Sequence, residues 1–215
     1  MIYQPPKEPY LDVVYHDEDV LVLNKPSGLL SVPGRKPEHK DSLQNRAQER
    51  YPEATTVHRL DMETSGLMVM ALNKPSHVSL SRQFEQRLVK KQYLARVFGH
   101  LEQDSGQVEA PLICDWPNRP KQMIDYENGK KAITHWTVID VEKQTTLVQL
   151  NPITGRSHQL RVHMLSIGHP IVGDQLYADG EALDYAPRLA LQSQSIQFVS
   201  LNHQNELLFS LPADF

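Results

Sequence analysis

Three ionisable side chains alternate in residues 57–66, directly before an apolar stretch. Arg59, Asp61 and Glu63 are followed there by Thr-Ser-Gly and then by Leu-Met-Val-Met-Ala-Leu. The apolar run predicts a buried strand, which would hold Asp61 in a rigid loop beside the core. A carboxylate held in this way can act as a nucleophile or as a general base. An ion pair between Arg59 and Asp61, or a turn capped by Asp61, would explain the same spacing without chemistry.

A second group surrounds Arg161. Residues 157–167 are expected to form a helix, with Gly168 just beyond its C-terminal end. Arg161 has mainly apolar neighbours on that helix, and an unpaired buried charge is very costly. Arg161 therefore needs a carboxylate partner. That partner is either a structural carboxylate or Asp61, whose ionised form Arg161 would then stabilise.

A third group combines an aromatic residue with basic ones. Tyr93 follows Lys90 and Lys91 at the start of a strand expected over residues 93–98. Such a tyrosine is often a half-buried strand residue. Beside lysines, it can instead stack on an unpaired nucleic-acid base.

Composition excludes several other classes of chemistry. Cys114 is the only cysteine, so neither an internal disulfide nor a multi-thiolate zinc site can form. The sequence has no phosphate-binding Gly-Lys-Ser/Thr loop, no dinucleotide fingerprint and no nucleophile elbow. Its ten histidines do not show metal-ligand spacing. We therefore expect no cofactor and no metal. The N-terminus lacks the features of a signal peptide, and no apolar run could span a membrane, which predicts a cytoplasmic protein.

The charge distribution is uneven. The net charge is −4, and residues 174–215 carry six acidic residues and one basic residue. Basic residues cluster in residues 35–40, 82–96 and 119–131. Each cluster alone could be an ordinary solvated face, but a local basic patch on an acidic protein can also bind phosphate.

The expected elements indicate a mixed fold. Strands are predicted at residues 12–15, 20–23, 66–72, 93–98, 132–139, 146–150, 189–191, 196–199 and 207–209. Helices are predicted from Ser42 to Arg50, from Pro75 to about Leu88, and over residues 157–167. Strands outnumber helices and few strand–helix–strand units recur. The prediction is an α+β fold with a mixed, largely antiparallel central sheet flanked by helices, in a single domain of residues 1–215.

Several motifs, in order along nearly the whole chain, resemble those of the RluA-type pseudouridine synthases. They are His-Arg-Leu-Asp at 58–61 with Thr-Ser-Gly at 64–66, Lys-Gln-Tyr at 91–93, and Gly-Arg-Ser-His-Gln-Leu-Arg-Val-His at 155–163. Residues 24–28 and 173–177 are also similar to family motifs. Residues 112–121 and the Ala-Asp-Phe ending resemble a branch of the family that acts on both rRNA and tRNA.

The resemblance implies isomerisation of uridine to pseudouridine in RNA without a cofactor. Asp61 would act at the ribose, by attack on C1′ or by removal of the C2′ proton. Arg161 would pair with Asp61, Tyr93 would stack on the target uracil and help to remove the C5 proton, and Leu191 would line the base pocket. Arg59 would fill the space that the flipped base leaves.

The expected partner is therefore RNA, as stem-loops of large-subunit rRNA and tRNA anticodon stem-loops. Lys90, Lys91 and His58 would contribute to binding it. No separate N-terminal RNA-binding domain is expected, and the protein is expected to be a monomer.

One departure and two alternatives remain at this point. Gln192 stands where many family members have histidine. A non-catalytic RNA-binding protein or RNA chaperone could use the same scaffold, and would not need Asp61. A glycosidase could use Asp61 and Glu63 as its two carboxylates, although the Tyr93 and Arg161 motifs argue against it.

Overall fold

A computed structural model describes residues 3–201 and 205–215. The chain forms two compact units. Unit 1 contains the chain up to Lys91 and Gln192–Asp214, and unit 2 contains Gln92–Leu191 together with Phe215. The prediction of a single catalytic domain stays a prediction.

Unit 1 is built on strands that surround a fully buried central strand. Its elements are β1 (Asp12–His16), β2 (Val20–Lys25), α1 (Leu43–Arg50), β3 (Thr55–Thr56), β4 (Ser65–Ala71), α2 (Lys74–Glu85), most of β11 (Leu191–Val199) and β12 (Glu206–Ser210). The strand order is β1-β2-β4-β11, with β3 paired to β4 and β12 paired to β11. Only the β4–β11 pairing is parallel among these pairs. Apolar side chains of β2, β4, β11 and α2 form the core.

Unit 2 contains an antiparallel sheet and a separate hairpin. Its elements are β5 (Lys90–Phe98), which begins in unit 1, β6 (Ser105–Glu109), β7 (Leu112–Cys114), β8 (Gln122–Ile124), β9 (Ile133–Val141), β10 (Thr145–Pro152), α3 (Gln159–Ser166) and α4 (Gly180–Asp184). The sheet order is β5-β10-β9-β6, and β7 pairs with β8. Leu112 of β7 and Val162 of α3 share a small apolar cluster, so the hairpin packs on the helix that carries Arg161.

The mixed, largely antiparallel α+β class is confirmed. Helix α1 begins as predicted, because the Ser42 side chain accepts a hydrogen bond from the Asn45 N–H (3.3 Å). Helix α2 ends at Glu85, before the predicted Leu88, since Arg87 adopts a left-handed backbone conformation with φ 61°. For the same reason α3 begins at Gln159 instead of residue 157: His158 has φ 53°.

The strand predicted at residues 196–199 and Leu191, the last residue of the one predicted at 189–191, belong to one strand, β11, and residues 189 and 190 lie outside it. The polar residues between them masked its continuity in the sequence. Gln192 and Ser193 are nevertheless buried, and they pair with Ser65 and Gly66 of β4. The short elements β3, β6, β7, β8 and α4 were not predicted. None of the helices in the described ranges is long and apolar enough to cross a membrane.

Candidate active site

The loop that carries Asp61 ends in a tight turn and leads into the buried strand β4. The Thr64 N–H donates a hydrogen bond to the Asp61 carbonyl (3.2 Å). Gly66 then adopts φ 102°, and a side chain there would collide with the Ser193 backbone of β11. Glycine is therefore required for β4 and β11 to pair this closely. The expectation that Asp61 lies in an ordered loop beside the core is confirmed.

The residue before Asp61 is held by a buried serine. The Ser31 hydroxyl donates a hydrogen bond to the Leu60 carbonyl (2.7 Å) and accepts one from the Leu60 N–H (3.1 Å). Ser31 and Leu60 are both buried. One side chain thus satisfies both backbone polar groups of the residue that directly precedes the proposed catalytic carboxylate.

The residue after Asp61, Met62, is held by the same segment of the chain that contains Ser31. The Met62 carbonyl accepts hydrogen bonds from the Lys25 ammonium (2.8 Å) and from the Gly28 N–H (2.9 Å). One residue further on, the Ser27 hydroxyl donates to the Glu63 carbonyl (2.7 Å). Residues 25–31 therefore clamp the backbone on both sides of Asp61.

Lys25 is a buried cation whose charge is coupled to this loop. Its ammonium also donates hydrogen bonds to the Leu29 carbonyl (2.7 Å) and the Pro26 carbonyl (2.9 Å). Burial lowers the pKa of Lys25 to about 7, although the nearby carboxylates of Glu63 and Asp61 act in the opposite direction. Lys25 belongs to the motif at residues 24–28, and no chemical argument from the sequence selects it as a site residue.

His58 has a structural contact at one ring nitrogen. Its Nε2 accepts a hydrogen bond from the Val69 N–H of β4 (2.9 Å), and its ring stacks on Phe84 with 4.6 Å between the ring centres. Burial, and secondly the charge of Lys91, lower the pKa of His58 to about 3. The ring is therefore neutral, with its proton on Nδ1. Its predicted role in substrate binding stays a prediction.

The basic residues of unit 1 differ in exposure. Arg59 and Lys90 are exposed, whereas Lys91 is half-buried and burial lowers its pKa. The Lys90 ammonium lies 4.0 Å from the Glu206 carboxylate. The acidic C-terminal stretch thus reaches this basic cluster.

In unit 2, Arg161 pairs with a buried carboxylate. Its Nε and Nη2 donate hydrogen bonds to Oδ2 and Oδ1 of Asp174, at 2.7 and 2.6 Å. Asp174 Oδ1 also accepts from the N–H groups of Leu176 (2.9 Å) and Tyr177 (3.2 Å). The prediction that Arg161 pairs with a carboxylate is confirmed, and the partner is Asp174. No chemical argument from the sequence selected Asp174. The pairing of Arg161 with Asp61 stays a prediction.

Tyr177 connects Arg161 to the β7–β8 hairpin. The Tyr177 ring centre is 5.0 Å from the Arg161 guanidinium carbon. Its hydroxyl accepts a hydrogen bond from the Gln122 N–H of β8 (2.7 Å) and lies 2.7 Å from Nδ1 of His158. Only the motif at residues 173–177 pointed to this residue.

The other two predicted site residues are buried side chains on strands. Tyr93 of β5 pairs with Leu150 of β10, and Leu191 begins β11. Within the described parts of the chain, no group of three or more histidine, cysteine, aspartate or glutamate residues is arranged to hold a metal ion.

Comparisons with known proteins identify the family. Residues 19–166 match the family model described as RNA pseudouridylate synthase. The chain belongs to this family. It is 56% identical over 214 residues to the dual-specificity RNA pseudouridine synthase RluA of Salmonella typhi, covering 99% of this chain and 98% of the relative. It is 55% identical to the RluA of Escherichia coli K12, with the same coverage.

Solved structures agree with this assignment. Human RNA pseudouridylate synthase domain containing 1 matches with a TM-score of 0.81 and 30% identity, over 97% of this chain and 86% of that one. Human RNA pseudouridylate synthase domain containing 4 matches with a TM-score of 0.75 and 26% identity, over 94% and 88%. The resemblance in the sequence motifs is confirmed: the protein is a pseudouridine synthase, an isomerase that acts on RNA.

Proposed function

We propose that this synthase isomerises uridines in two kinds of RNA, stem-loops of large-subunit rRNA and anticodon stem-loops of tRNA. The support is the 55–56% identity, over almost the full length, to synthases that are named as dual-specificity enzymes. The target nucleotide must leave its stack to react, which costs a few kcal/mol and is cheapest in a hairpin loop. The proposal includes a cytoplasmic location and a monomer.

In this proposal Asp61 is the catalytic residue. The supporting observation is that hydrogen bonds hold the backbone of Leu60 and Met62, on both sides of Asp61. The Asp61 carboxylate attacks C1′ of the target ribose or removes its C2′ proton. Either step breaks the N1–C1′ bond. The uracil then turns and C5 bonds to C1′. This bond displaces the Asp61 carboxylate from C1′ in the first route, and in the second route the proton returns to C2′. The C5 proton is released and N1 takes up a proton. No net oxidation occurs, so activity is expected to survive chelator treatment and dialysis.

Tyr93 and Arg161 complete the proposed mechanism. Tyr93 stacks on the uracil and assists the loss of the C5 proton, and Leu191 lines the base pocket. Arg161 stabilises the ionised form of Asp61. The Arg161 guanidinium is held in place by its two hydrogen bonds to Asp174. Arg59, an exposed residue, occupies the space that the flipped base leaves in the RNA.

The basic clusters would bind the phosphate backbone. The first contains Arg82, Arg87, Lys90 and Lys91, and the second contains Arg119, Lys121, Lys130 and Lys131. Arg96 also lies in the basic stretch of residues 82–96, but it is mostly buried and its guanidinium donates to the Glu142 carboxylate (2.6 Å). Arg96 is therefore left out of the first cluster. His58 supports the loop through Val69, so its proposed contribution to RNA binding is indirect.

Asp61→Asn tests the mechanism, with Glu63→Gln as the matched control two residues away. The amide is nearly isosteric but cannot supply an anion. Release of tritium from C5-labelled RNA should fall about 10²- to 10⁴-fold in Asp61→Asn, while RNA affinity and the unfolding midpoint stay near those of the unmodified enzyme. Glu63→Gln should retain turnover. Substantial turnover by Asp61→Asn would remove Asp61 from the mechanism.

A genetic experiment tests the substrates. Pseudouridine is mapped in rRNA and tRNA from cells that lack the protein and from cells that produce only Asp61→Asn. Sites should disappear from both RNAs in both strains. Loss from only one kind of RNA would contradict dual specificity, and full modification with Asp61→Asn would support a non-catalytic role.

A further inference from the structure

The loop between β7 and β8 exposes an aromatic side chain to solvent. Trp116 is 66% exposed, whereas the other tryptophan, Trp136, is 7% exposed. Large aromatic side chains dominate the energetics of cores and interfaces, so an indole left in water suggests that something else covers it.

The exposed loop is nevertheless well ordered by hydrogen bonds. The Asp115 N–H donates to the Lys121 carbonyl (3.0 Å), and the Lys121 N–H donates to the Asn118 carbonyl (3.1 Å). The Asn118 side chain also donates to the Asp115 carboxylate (3.0 Å). Trp116 therefore sits on a preorganised turn, which reduces the entropy cost of binding a ligand there.

A guanidinium covers part of the indole. The Arg119 guanidinium carbon lies 4.6 Å from the Trp116 ring centre, a cation–π stack on the surface. Arg119 is itself exposed, and Lys121 follows two residues later. Two flat π-systems are thus presented together by one short loop, and the Lys121 ammonium lies 6.0 Å from the Tyr177 ring centre.

The base of this loop is fixed to the element that carries Arg161. The N–H of Gln122, the first residue of β8, donates to the Tyr177 hydroxyl, and the Tyr177 ring packs on the Arg161 guanidinium. Both contacts lie within unit 2. The position of the tip is therefore set relative to Arg161 by side chains that are themselves held in place.

We infer that Trp116 and Arg119 form a stacking platform for one unpaired base of the RNA substrate, distinct from the uracil that reacts. The inference rests on the proposed function, since its ligand is the stem-loop RNA. Every base offers a π-face to an aromatic ring or a guanidinium, and Lys121 is placed to neutralise an adjacent phosphate. RNA is favoured over a protein partner because the chain belongs to a family that acts on RNA, and because unpaired bases stack on aromatic rings and guanidinium planes.

Binding is measured first, in the Asp61→Asn background so that no turnover occurs. Trp116→Ala should weaken the affinity for an anticodon stem-loop about tenfold, since one base stack contributes ~1–3 kcal/mol. Trp116→Phe should lose less, because it keeps a ring. Tyr126→Ala is the matched control: Tyr126 is another exposed aromatic, on the segment after β8, without a guanidinium over its ring.

Fluorescence gives a direct readout of stacking. Emission from exposed Trp116 should lie to the red of emission from buried Trp136, because water surrounds the exposed indole. Adding the stem-loop should quench the red component, and it should become less accessible to acrylamide. A blunt duplex of equal charge, and a stem-loop whose loop nucleotides are abasic, should quench much less.

The outcomes separate this inference from the proposed mechanism. Equal quenching by the blunt duplex, equal losses from Trp116→Ala and Tyr126→Ala, or unchanged affinity in Trp116→Ala would each overturn the platform. A protein partner would be indicated if Trp116→Ala abolished a protein contact but left RNA affinity unchanged. None of these results concerns Asp61, whose role is judged by tritium release alone.

Discussion

Arg161 and Asp174 form a two-point ion pair whose side chains are only 3% and 1% exposed. The pair is further tied to the chain by backbone N–H groups that donate to Asp174. Removing one charge from such a pair leaves the other buried without its counter-charge. The pair therefore fixes where the Arg161 guanidinium lies, and any contact of that guanidinium with a second carboxylate depends on Asp174.

The first prediction concerns this pair. Asp174→Leu and Arg161→Met should each lower the free energy of unfolding by about 3–5 kcal/mol, because each leaves one buried charge unpaired. The double variant should recover part of that loss, as a double-mutant cycle measured by urea unfolding would show. Additive losses would mean that the two charges do not stabilise each other.

Arg161→Met also tests the proposed pairing with Asp61. If Arg161 contacts the Asp61 carboxylate, folded Arg161→Met should release tritium about 10²-fold more slowly at saturating RNA, because the carboxylate is no longer held in its reactive position. Unchanged tritium release by folded Arg161→Met would assign Arg161 to Asp174 alone.

Ser31 provides the second prediction. Ser31→Ala removes both hydrogen bonds to Leu60 and leaves two buried backbone groups unsatisfied, which costs about 1–3 kcal/mol. Turnover should fall about tenfold or more at saturating RNA, since a small displacement of Asp61 spoils its geometry. RNA affinity should change little.

Ser42→Ala is the control for a general loss of stability. Ser42 caps α1 and is also buried. Its loss costs ~1 kcal/mol but should leave the turnover rate unaltered. If the two serine variants lose stability equally and both keep full turnover, Ser31 has no positioning role.

The third prediction follows from the ionisation of Lys25. In the unfolded chain a lysine keeps its proton up to about pH 10.4, whereas the folded protein releases the Lys25 proton at about pH 7. Between these values the unfolded state binds more protons, so the Lys25 contribution makes stability rise with pH. Below pH 7 both states are protonated and the contribution is constant.

Lys25→Met should flatten this rise. Urea unfolding at pH 7 and at pH 9.5 would measure it, with Lys90→Met, an exposed lysine, as the control. Parallel stability curves for Lys25→Met and the unmodified enzyme would show that Lys25 keeps an ordinary pKa in the folded state.

Much of the fold and part of the site were predictable from sequence, for physical reasons that differ between residues. The apolar run of β4 and the cap of α1 are local signals, so Asp61 and Ser42 were placed correctly. The apolar neighbours of Arg161 predict that its guanidinium pairs with a carboxylate. Which carboxylate it is depends on contacts between segments that are distant in sequence, so the sequence does not identify Asp174. Lys25 looked like an ordinary loop lysine, because its burial depends on the turn around Met62.

The fourth prediction concerns binding of the phosphate backbone. Arg82→Glu and Lys90→Glu together should weaken stem-loop affinity and flatten its dependence on salt, since each phosphate contact contributes about 0.7–0.9 to the slope of log K against log salt. Ser210→Glu with Ala213→Glu, both exposed near the C-terminus, is the control. The idea fails if the two double variants show the same affinity and slope. Lys91 is avoided here because it is half-buried beside His58.

The last prediction separates two roles of Tyr93. Tyr93 is 9% exposed and pairs with Leu150 across the sheet, so Tyr93→Ala leaves a cavity and should cost about 3–5 kcal/mol. Assays of that variant therefore need a temperature at which it is shown to be folded.

Tyr93→Phe keeps the ring and removes only the hydroxyl. If the hydroxyl assists proton loss from C5, Tyr93→Phe should bind RNA and break the glycosidic bond, yet fail to release tritium. If stacking is its whole role, Tyr93→Phe should turn over nearly as fast as the unmodified enzyme and folded Tyr93→Ala should not. Full turnover by folded Tyr93→Ala would show that Tyr93 only packs within the sheet.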